Sequence, residues 1–346
     1  MISPVYLAPS TAFVTTAALL PLVRALCIRR GLVGAPGPLK IHSQPTPRLG
    51  GIAILLGISV ATIATAPHLA IASWPFFAAL TLVFVAGFVD DLRSLSPALR
   101  LAAQCSAGAL LWAGGWRIPF DNGTIGLFLN AFLVVGFCNS TNLLDGMDAL
   151  TTGVSLVMGA AYLALPLASL GAFAHAVAWC LVAACLAFLP SNWPTARLFL
   201  GDGGSNLLGF VFAFLALDFY RSRPATPSAL LFPLLVAALP LSDAVLATLR
   251  RLRAGRPVLF GDRRHLYDRM RAVGWSVPGI AIALYAVSAV FAGIGLYGVR
   301  THSRLFWPGT LLAIFLFLGG AIRLGSLRCD AKVETNVAAW LDRTSK

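Results

Sequence analysis

The segment Ala86-Gly87-Phe88-Val89-Asp90-Asp91-Leu92-Arg93 joins a long apolar stretch to a pair of acids. The roughly twenty residues that lead into it, from near residue 69 to residue 89, are almost all apolar, which is the length of a transmembrane helix. Carboxylates where such a helix leaves the bilayer are costly unless they have a use, so a functional role is the default interpretation. The structural alternative is a solvated loop in which Arg93 is a surface partner of the two acids.

The composition is that of an integral membrane protein. Of the 346 residues, 58% are hydrophobic and 11% are charged, whereas soluble domains have about 25% charged residues. The net charge of +13 does not indicate a nucleic-acid partner, because the basic residues lie in short loops between apolar runs. That distribution is typical of membrane orientation and of anionic ligands.

Eleven apolar runs predict an all-α integral membrane protein with about eleven transmembrane helices. Several runs are short, so tilted or interrupted helices are expected. The runs are 5–26, 51–66, 69–89, 99–115, 125–138, 151–170, 172–189, 207–219, 229–249, 279–297 and 306–324.

The distribution of Lys and Arg predicts the orientation of the chain. If the first helix ends in the cytosol, 21 of the 26 basic residues are cytosolic. The five on the outer side are Arg117, Arg221, Arg223, Arg300 and Arg304. The N-terminus is therefore predicted outside and the C-terminus in the cytosol. Residues 1–346 are predicted to form one multi-pass domain in the plasma (inner) membrane.

With this orientation, five polar loops share the cytosolic face: about residues 40–51, 90–98, 139–150, 190–206 and 250–278. Each loop leads into the start of a helix, where unpaired N–H groups and a partial positive charge suit phosphate. Glycines in these loops would let a diphosphate approach the backbone. The aspartates need a cation between themselves and phosphate, and magnesium prefers such oxygen ligands. The loops therefore predict magnesium-dependent chemistry on a phosphorylated substrate.

Each acid also has a structural explanation when it is taken alone. Asp145 and Asp148, three residues apart, could cap a helix, and Asp202 before two glycines could be a turn residue. The acids are not independent, however, because five polar loops share one face while the outer loops contain few acids. That joint pattern favours function.

Four motifs in these loops resemble the polyprenyl-phosphate N-acetylhexosamine-1-phosphate transferase superfamily, glycosyltransferase family 4. They are PTPRLGG (45–51), FVDDLRSLSP (88–97), NSTNLLDGMDAL (139–150) and FLGDGGS (199–205). They come in the family's order and spacing, and the resemblance extends from residue 5 to about residue 324. It implies a magnesium-dependent enzyme, with manganese as the alternative metal, and cytosolic catalytic loops.

The resemblance also implies roles for individual residues. Asp202 and Asn142 match the metal-binding positions. Asp90 and Asp91 match the acidic pair tied to the lipid phosphate and to catalysis. Asp145 matches a catalytic position in the loop implicated in binding the nucleotide end of the donor.

Further residues are expected to bind substrate. Asp148 belongs to the same nucleotide loop, and Lys40 and Arg48 are the basic residues of the first cytosolic loop. Arg263 and Arg264 are predicted to clamp the donor's diphosphate, because guanidinium pairs well with phosphate oxygens. His265 matches the first histidine of the family's histidine motif and is predicted to be catalytic.

The histidine motif departs from the common family pattern. Many members have His-x-His-His, whereas this chain has His265-Leu266-Tyr267-Asp268. This difference argues against a muramyl-pentapeptide donor and favours a simple UDP-N-acetylhexosamine, most simply UDP-N-acetylglucosamine. The implied reaction transfers the sugar 1-phosphate to polyprenyl (undecaprenyl) phosphate and releases UMP. It is the first membrane step of cell-surface glycan synthesis, such as that of cell wall or O-antigen; whether the enzyme is a homodimer stays open.

Two other classes of membrane protein match the sequence less well. A transporter would place acids in broken helices near the bilayer centre, and here only Asp243, after Leu239-Pro240, lies well inside an apolar run. A CDP-alcohol phosphotransferase would carry Asp-Gly-x-x-Ala-Arg, whereas Asp145-Gly146 is followed by Met147-Asp148-Ala149-Leu150.

Overall fold

The computed structural model describes residues 4–34, 46–119, 122–222, 226–257, 264–301, 303 and 305–328. Within them the chain is almost wholly α-helical, and each of the eleven apolar runs contains a helix. The helices are α1 (Pro4–Arg29), α2 (Gly51–Thr65), α3 (Pro67–Ala72), α4 (Trp74–Leu92), α5 (Pro97–Ala113), α6 (Gly123–Leu144), α7 (Leu150–Leu163), α8 (Ala172–Asn192), α9 (Gly201–Ser222), α10 (Pro227–Val236), α11 (Ala238–Arg253), α12 (Leu266–Ala272), α13 (Val277–Thr301) and α14 (Phe306–Arg323). A short 3₁₀ turn, Leu167–Ser169, precedes α8.

Seven of the helices in the described residues are long and apolar enough to cross a membrane: α1, α4, α6, α8, α9, α13 and α14. The bent pair α10–α11 is an eighth if it counts as one span. Two apolar helices, α2 and α7, are shorter. The protein is thus a multi-pass, helical membrane protein, and the count of eleven crossings stays a prediction.

Helix α9 is the centre of the bundle. Every residue from 203 to 220 is buried, because α4 and α6 pack along it and α2 also contacts it. A helix that is apolar all round is expected to be enclosed in this way. Aromatic rings pack on its C-terminal half: Phe214 lies 4.5 Å from Phe76 and 5.2 Å from Trp116, centroid to centroid. The N-terminal turn of α9, which carries Asp202, is therefore rigidly placed.

The apolar run 229–249, predicted as one segment, is broken in the structure. Helix α10 ends at Val236, α11 begins at Ala238, and their axes differ by 76°. Proline causes such a break because its ring clashes with the carbonyl four residues earlier and it has no N–H to donate. Pro240 stands four residues after Val236, so its sequence position explains the break.

A two-residue strand pair follows α1 and was not predicted. β1 (Val33–Gly34) pairs antiparallel with β2 (Thr46–Pro47). Strands this short have no periodicity that a sequence pattern can show. The pair ties the segment that follows α1 to the part of the first polar loop that precedes α2.

Candidate active site

The acids of the second and fourth polar loops meet where α4 ends and α9 begins. Asp91 accepts a hydrogen bond from the Gly203 N–H at 3.0 Å. The Asp202 carboxylate lies within the electrostatic reach of Asp91 and Asp90. Asp145, from the third loop, interacts with both Asp202 and Asp91. Asp90, Asp91, Asp145 and Asp202 are called the acidic centre below.

Glycines allow the helix ends at the acidic centre to come this close. A β-carbon on Gly204 would lie 2.8 Å from the Gly51 Cα, and one on Gly87 would lie 2.5 Å from the Asp202 carbonyl oxygen. Gly201, immediately before Asp202, has φ +79°, a conformation that side chains other than glycine rarely adopt. Glycines of the first and fourth motifs, together with Gly87 just before the second, therefore let α2, α4 and α9 come into contact.

The first and fourth polar loops pair through their backbones. The Phe199 N–H donates to the Pro47 carbonyl at 2.8 Å, and the Gly50 N–H donates to the Phe199 carbonyl at 2.9 Å. The Gly51 N–H donates to the Leu200 carbonyl, also at 2.9 Å. The motif around residue 48 and the motif around residue 200 thus form one unit, although about 150 residues separate them in the chain.

The two neighbouring acids of the second loop have different partners, as expected for successive residues of a helix. Both oxygens of Asp90 are bonded: Arg100 Nη1 lies 2.8 Å from Oδ2, and the Leu95 N–H lies 2.6 Å from Oδ1. Asp91 instead faces the first turn of α9 through its bond to Gly203. Asp90 therefore also fastens the turn between α4 and α5, and Asp91 faces the donors at the start of α9.

The third loop brings two more of the predicted acids to the site. Asp145 follows the last residue of α6, and burial raises its pKa well above the usual value for a carboxyl. The nearby carboxylates of Asp202 and Asp91 raise this pKa further. Asp148 accepts a hydrogen bond from the Ala196 N–H at 3.1 Å. It therefore ties the third loop to the fourth.

Two residues that the sequence analysis did not single out hold the end of the third loop. Ala149 has φ +62°, a strained conformation for a residue with a side chain. Its N–H donates to Asn192 Oδ1 at 3.1 Å, and its carbonyl accepts from the Tyr285 hydroxyl at 2.6 Å. Asn192 also donates to the Leu198 carbonyl at 3.2 Å and accepts from Thr152. An asparagine at a helix end before a loop carries no distinctive sequence signal.

His265 is oriented by a buried carboxylate on α11. Its Nδ1 lies 2.6 Å from Asp243 Oδ2, and the Leu266 N–H donates to Asp243 Oδ1 at 3.0 Å. Tyr267 stacks on the imidazole with ring centroids 5.6 Å apart. The Tyr267 hydroxyl lies against Gly146, where a β-carbon would collide with it. The fifth loop therefore contacts the third, and His265 belongs to the same assembly as the acidic centre.

A chain of buried amides lies behind the acidic centre and was also missed. Asn139 donates to Gln104 at 2.7 Å, Gln104 donates to Asn206 at 2.9 Å, and Asn206 donates to the Asp202 carbonyl at 2.8 Å. Gln104 and Asn206 are almost fully buried. An amide inside an apolar run was the available signal, because such groups need partners in a membrane protein.

The other residues predicted for the site include Arg48, Arg264 and Asn142. The Arg48 guanidinium lies beside Gly34 and within the electrostatic reach of Asp91. Arg264 is buried next to His265, and Asn142 lies half-buried in the last turn of α6. Lys40 and Arg263 lie outside the described residues, so their roles stay predictions.

The acidic centre fits a divalent cation. The Asp202 carboxylate is close enough to those of Asp91 and Asp90 for like charges to repel, and a bound cation would relieve that repulsion. Among the described residues, no three His, Cys, Asp or Glu side chains form a ready metal cage. Magnesium matches such a site, since it takes one or two carboxylates and completes its shell with waters and substrate phosphates.

The fold and the site define a class: a multi-pass membrane protein whose loops build an acidic centre at helix ends. Within that class, the profile of glycosyl transferase family 4 matches residues 73–220. The decaprenyl-phosphate N-acetylglucosaminephosphotransferase of Mycolicibacterium smegmatis is 30% identical over 328 residues, which cover 83% of this chain and 79% of the relative. The chain belongs to the polyprenyl-phosphate N-acetylhexosamine-1-phosphate transferase superfamily, as its motifs predicted.

Two further relatives support the assignment. The undecaprenyl-phosphate alpha-N-acetylglucosaminyl 1-phosphate transferase of Escherichia coli K12 is 29% identical over 329 residues, 88% of each chain. A probable undecaprenyl-phosphate N-acetylglucosaminyl 1-phosphate transferase of Bacillus subtilis is 25% identical over 318 residues, 89% of this chain and 87% of the relative. The similarity therefore spans nearly the whole chain.

Proposed function

We propose that this protein transfers N-acetylglucosamine 1-phosphate from UDP-N-acetylglucosamine to a polyprenyl phosphate in the membrane and releases UMP. The relatives named above are polyprenyl-phosphate N-acetylglucosamine-1-phosphate transferases. The observation that carries the proposal is the acidic centre: four carboxylates from three loops, gathered at the N-terminus of the central helix. Such a centre suits phosphoryl transfer, in which positioning and charge neutralisation supply most of the catalysis.

In the proposed reaction an oxygen of the carrier's phosphate attacks the β-phosphorus of the nucleotide sugar. A new P–O bond forms, the bond to the α-phosphate bridge breaks, and UMP leaves with its electron pair. One phosphoanhydride replaces another, so the equilibrium is nearly balanced. Asp91 is assigned the position beside the attacking phosphate, because both oxygens of Asp90 already hold the α4–α5 turn.

Asp202 and Asn142 are assigned to a magnesium ion, with manganese as the substitute. When bound, the ion supplies positive charge against the diphosphate and the surrounding carboxylates. The amide chain from Asn139 through Gln104 and Asn206 to the Asp202 backbone holds the first turn of α9 in place. Asp202 is thereby kept in position before substrate arrives.

The donor is assigned to the surface between the third and fifth loops. Asp145 and Asp148 are placed at its nucleotide end, and Arg263, Arg264 and His265 at its diphosphate. Asp243 fixes the orientation of the His265 ring. Arg48 and Lys40 are assigned to substrate phosphate from the first loop, where Arg48 already lies near Asp91.

We propose eleven crossings of the plasma (inner) membrane, with the N-terminus outside and the acidic centre on the cytosolic face. The basic asymmetry of the loops supports this orientation. The product would begin the assembly of a cell-surface glycan such as cell wall or O-antigen, and the whole chain would act as one domain. A homodimer is compatible with this arrangement.

The deciding experiment is an assay of the purified protein with polyprenyl phosphate and competing UDP-sugars. The donors are the N-acetylglucosamine, N-acetylgalactosamine, 6-deoxy amino sugar and muramyl-pentapeptide derivatives. We expect UMP release and a lipid product with the mass of polyprenyl diphosphate N-acetylglucosamine. A product that carries a 6-deoxy amino sugar would change the assigned donor and leave the assigned reaction intact. A pentapeptide product would overturn the donor assignment, and no UMP with any donor would overturn the reaction.

The transporter alternative is less well supported by the geometry. Asp243 does follow the break between α10 and α11, where a transporter would bind its ion. Its two carboxylate oxygens, however, are bonded to His265 and to the Leu266 backbone. The buried acid therefore clamps a loop of the site.

A further inference from the structure

A groove of about 560 Å³ lies between α1 and α8, next to the loop after α8. Its volume is within the range of about 300–1,000 Å³ that is common for ligand sites. Its apolar wall is lined by Ala17, Leu20, Pro21, Ala25, Ile28 and Ala187. On the neighbouring surface of α1, Leu22 and Leu26 are 64% and 50% exposed. Because α1 is long and apolar enough to cross a membrane, a wall on its exposed side would face acyl chains if α1 spans the bilayer.

Three arginines line the groove: Arg24, Arg29 and Arg197. Within the described residues their side chains form no ion pair or hydrogen bond, and the groove lining contains no acid. A helix C-terminus favours a cation in its last turn, which accounts for Arg29 alone. Arg24 lies more than a turn earlier, and Arg197 lies on a loop. Three uncompensated guanidinium groups thus meet at one apolar groove.

We propose that this groove binds a membrane phospholipid with an anionic head group. The guanidinium groups would bind the phosphate, since they pair with its oxygens in a fixed geometry, and the apolar wall would take the upper acyl chains. A soluble anion would make no contact with the apolar wall, and a zwitterionic lipid would not neutralise the charge of the arginines. Basic pockets between transmembrane helices on the cytosolic side are known to bind anionic lipids.

The proposed lipid would touch the fourth polar loop of the acidic centre. Arg197 lies on that loop, its N–H donates to the Ser191 carbonyl, and its two neighbours are tied to the site. The Ala196 N–H donates to Asp148, and the Leu198 carbonyl accepts from Asn192. A bound head group would therefore steady the loop that leads to Asp202. This inference does not depend on the transferase reaction.

The test measures lipid retention and not turnover. The full chain is purified in detergent with equal amounts of phosphatidylglycerol and phosphatidylcholine, and bound lipid is counted by native mass spectrometry. The groove variant is Arg24→Gln, Arg29→Gln and Arg197→Gln together. The matched control is Arg30→Gln, Arg253→Gln and Arg323→Gln, which removes the same charge from exposed helix ends that do not line the groove.

We expect the wild type and the control variant to retain phosphatidylglycerol preferentially. The groove variant should lose that preference, by about fivefold per arginine, which corresponds to about 1 kcal/mol each. In the single variant Arg197→Gln, the preference for phosphatidylglycerol should fall about fivefold. This variant replaces the triple variant if the triple variant does not fold. Unchanged retention in the groove variants, or equal loss in the control, would overturn the proposal.

Two competition arms separate other occupants from the proposed one. Polyprenyl phosphate at the concentration of the phospholipid should not displace phosphatidylglycerol from the wild type; displacement would make the groove a carrier site instead. Millimolar inorganic phosphate should also leave the lipid bound, because it lacks acyl chains for the apolar wall. Displacement by phosphate would reduce the groove to a simple anion site and refute a lipid site.

Discussion

Asp90 and Asp91 are adjacent in the chain, but their carboxylates lie in different surroundings. Asp90 is bonded to Arg100 and to the Leu95 backbone, whereas Asp91 accepts from Gly203 at the start of α9. Arg100 is 33% exposed, so its pair with Asp90 contributes only about 1 kcal/mol to stability. A structural part for Asp90 and a catalytic part for Asp91 can therefore be separated by experiment.

We expect Asp91→Asn to lower kcat by about a hundredfold or more with little change in KM, as for a group used in the transition state. Asp90→Asn should lower the melting temperature, and Arg100→Gln should lower it to a similar extent. Kinetics and thermal unfolding of the three variants are the measurements. A larger kcat loss in Asp90→Asn, at unchanged melting temperature, would reverse the two roles.

Asp202→Ala should abolish turnover and remove the dependence on magnesium while the protein still inserts in the membrane, because the proposed metal loses a carboxylate ligand. Asn142→Ala should weaken magnesium dependence in the same direction. The matched control is Asp218→Asn, which changes a buried acid at the other end of α9, where it is bonded to Trp116, Arg221 and the Gly171 N–H. The control should lower stability only. Normal rates of Asp202→Ala and Asn142→Ala at saturating magnesium would exclude both residues as ligands.

Asp243→Asn should lower kcat by about tenfold or more, because an amide in place of the carboxylate no longer fixes the same imidazole tautomer. The loss should be much smaller in a His265→Asn background, since a pair that acts together is not additive. A double-mutant cycle on kcat measures this coupling. Equal losses in both backgrounds would show that Asp243 acts without His265.

At the scale of helices and loops, glycine contacts decide how the elements pack. Gly51 and Gly204 hold α2 against α9 at backbone distance, and Gly87 does the same for α4. The glycines of the sequence motifs therefore have a packing reason in addition to any contact with phosphate. Substitutions at these positions test the packing directly.

Gly51→Ala should destabilise the protein by about 1–3 kcal/mol, since its β-carbon would overlap the Gly204 backbone and the helices would have to separate. Gly136→Ala on α6 is the control, because a β-carbon there meets no atom within 4 Å. The control should be neutral or stabilising by up to about 1 kcal/mol. Thermal unfolding in detergent compares them, and equal melting temperatures would disprove the close-packing argument.

At the scale of the whole molecule, the orientation in the membrane places the acidic centre. The excess of Lys and Arg in alternate loops predicts a cytosolic site. Of the predicted outer loops, the one before α6 contains Asn122, which caps that helix. Asp262, in the fifth polar loop, lies outside the described residues and on the opposite side by this prediction.

Single cysteines placed at these two positions in a cysteine-free chain test the orientation. An impermeant thiol reagent added to intact cells should label position 122 and should label position 262 only after the membrane is opened. Labelling in the reverse pattern would overturn the orientation and, with it, the cytosolic site.

The apolar runs determined the helical class and the positions of the helices, because hydrophobicity over a membrane length is a local property of the chain. The four motifs determined the family in the same way, since their order can be read without coordinates. They also placed Asp90, Asp91, Asp145, Asp148 and Asp202 near one another, which the structure shows. The sequence was sufficient to place these residues on one face of the molecule, and their individual roles stay predictions.

Other features needed the tertiary structure. The enclosure of α9 depends on helices that pack on it from several sides, and its composition resembles that of lipid-facing spans. The different partners of Asp90 and Asp91 depend on Arg100 and on the start of α9. The clamps formed by Asn192, Tyr285 and Asp243 join segments 22 to 136 residues apart. Contacts between segments so far apart leave no local periodicity or composition signal, so only the folded chain could reveal them.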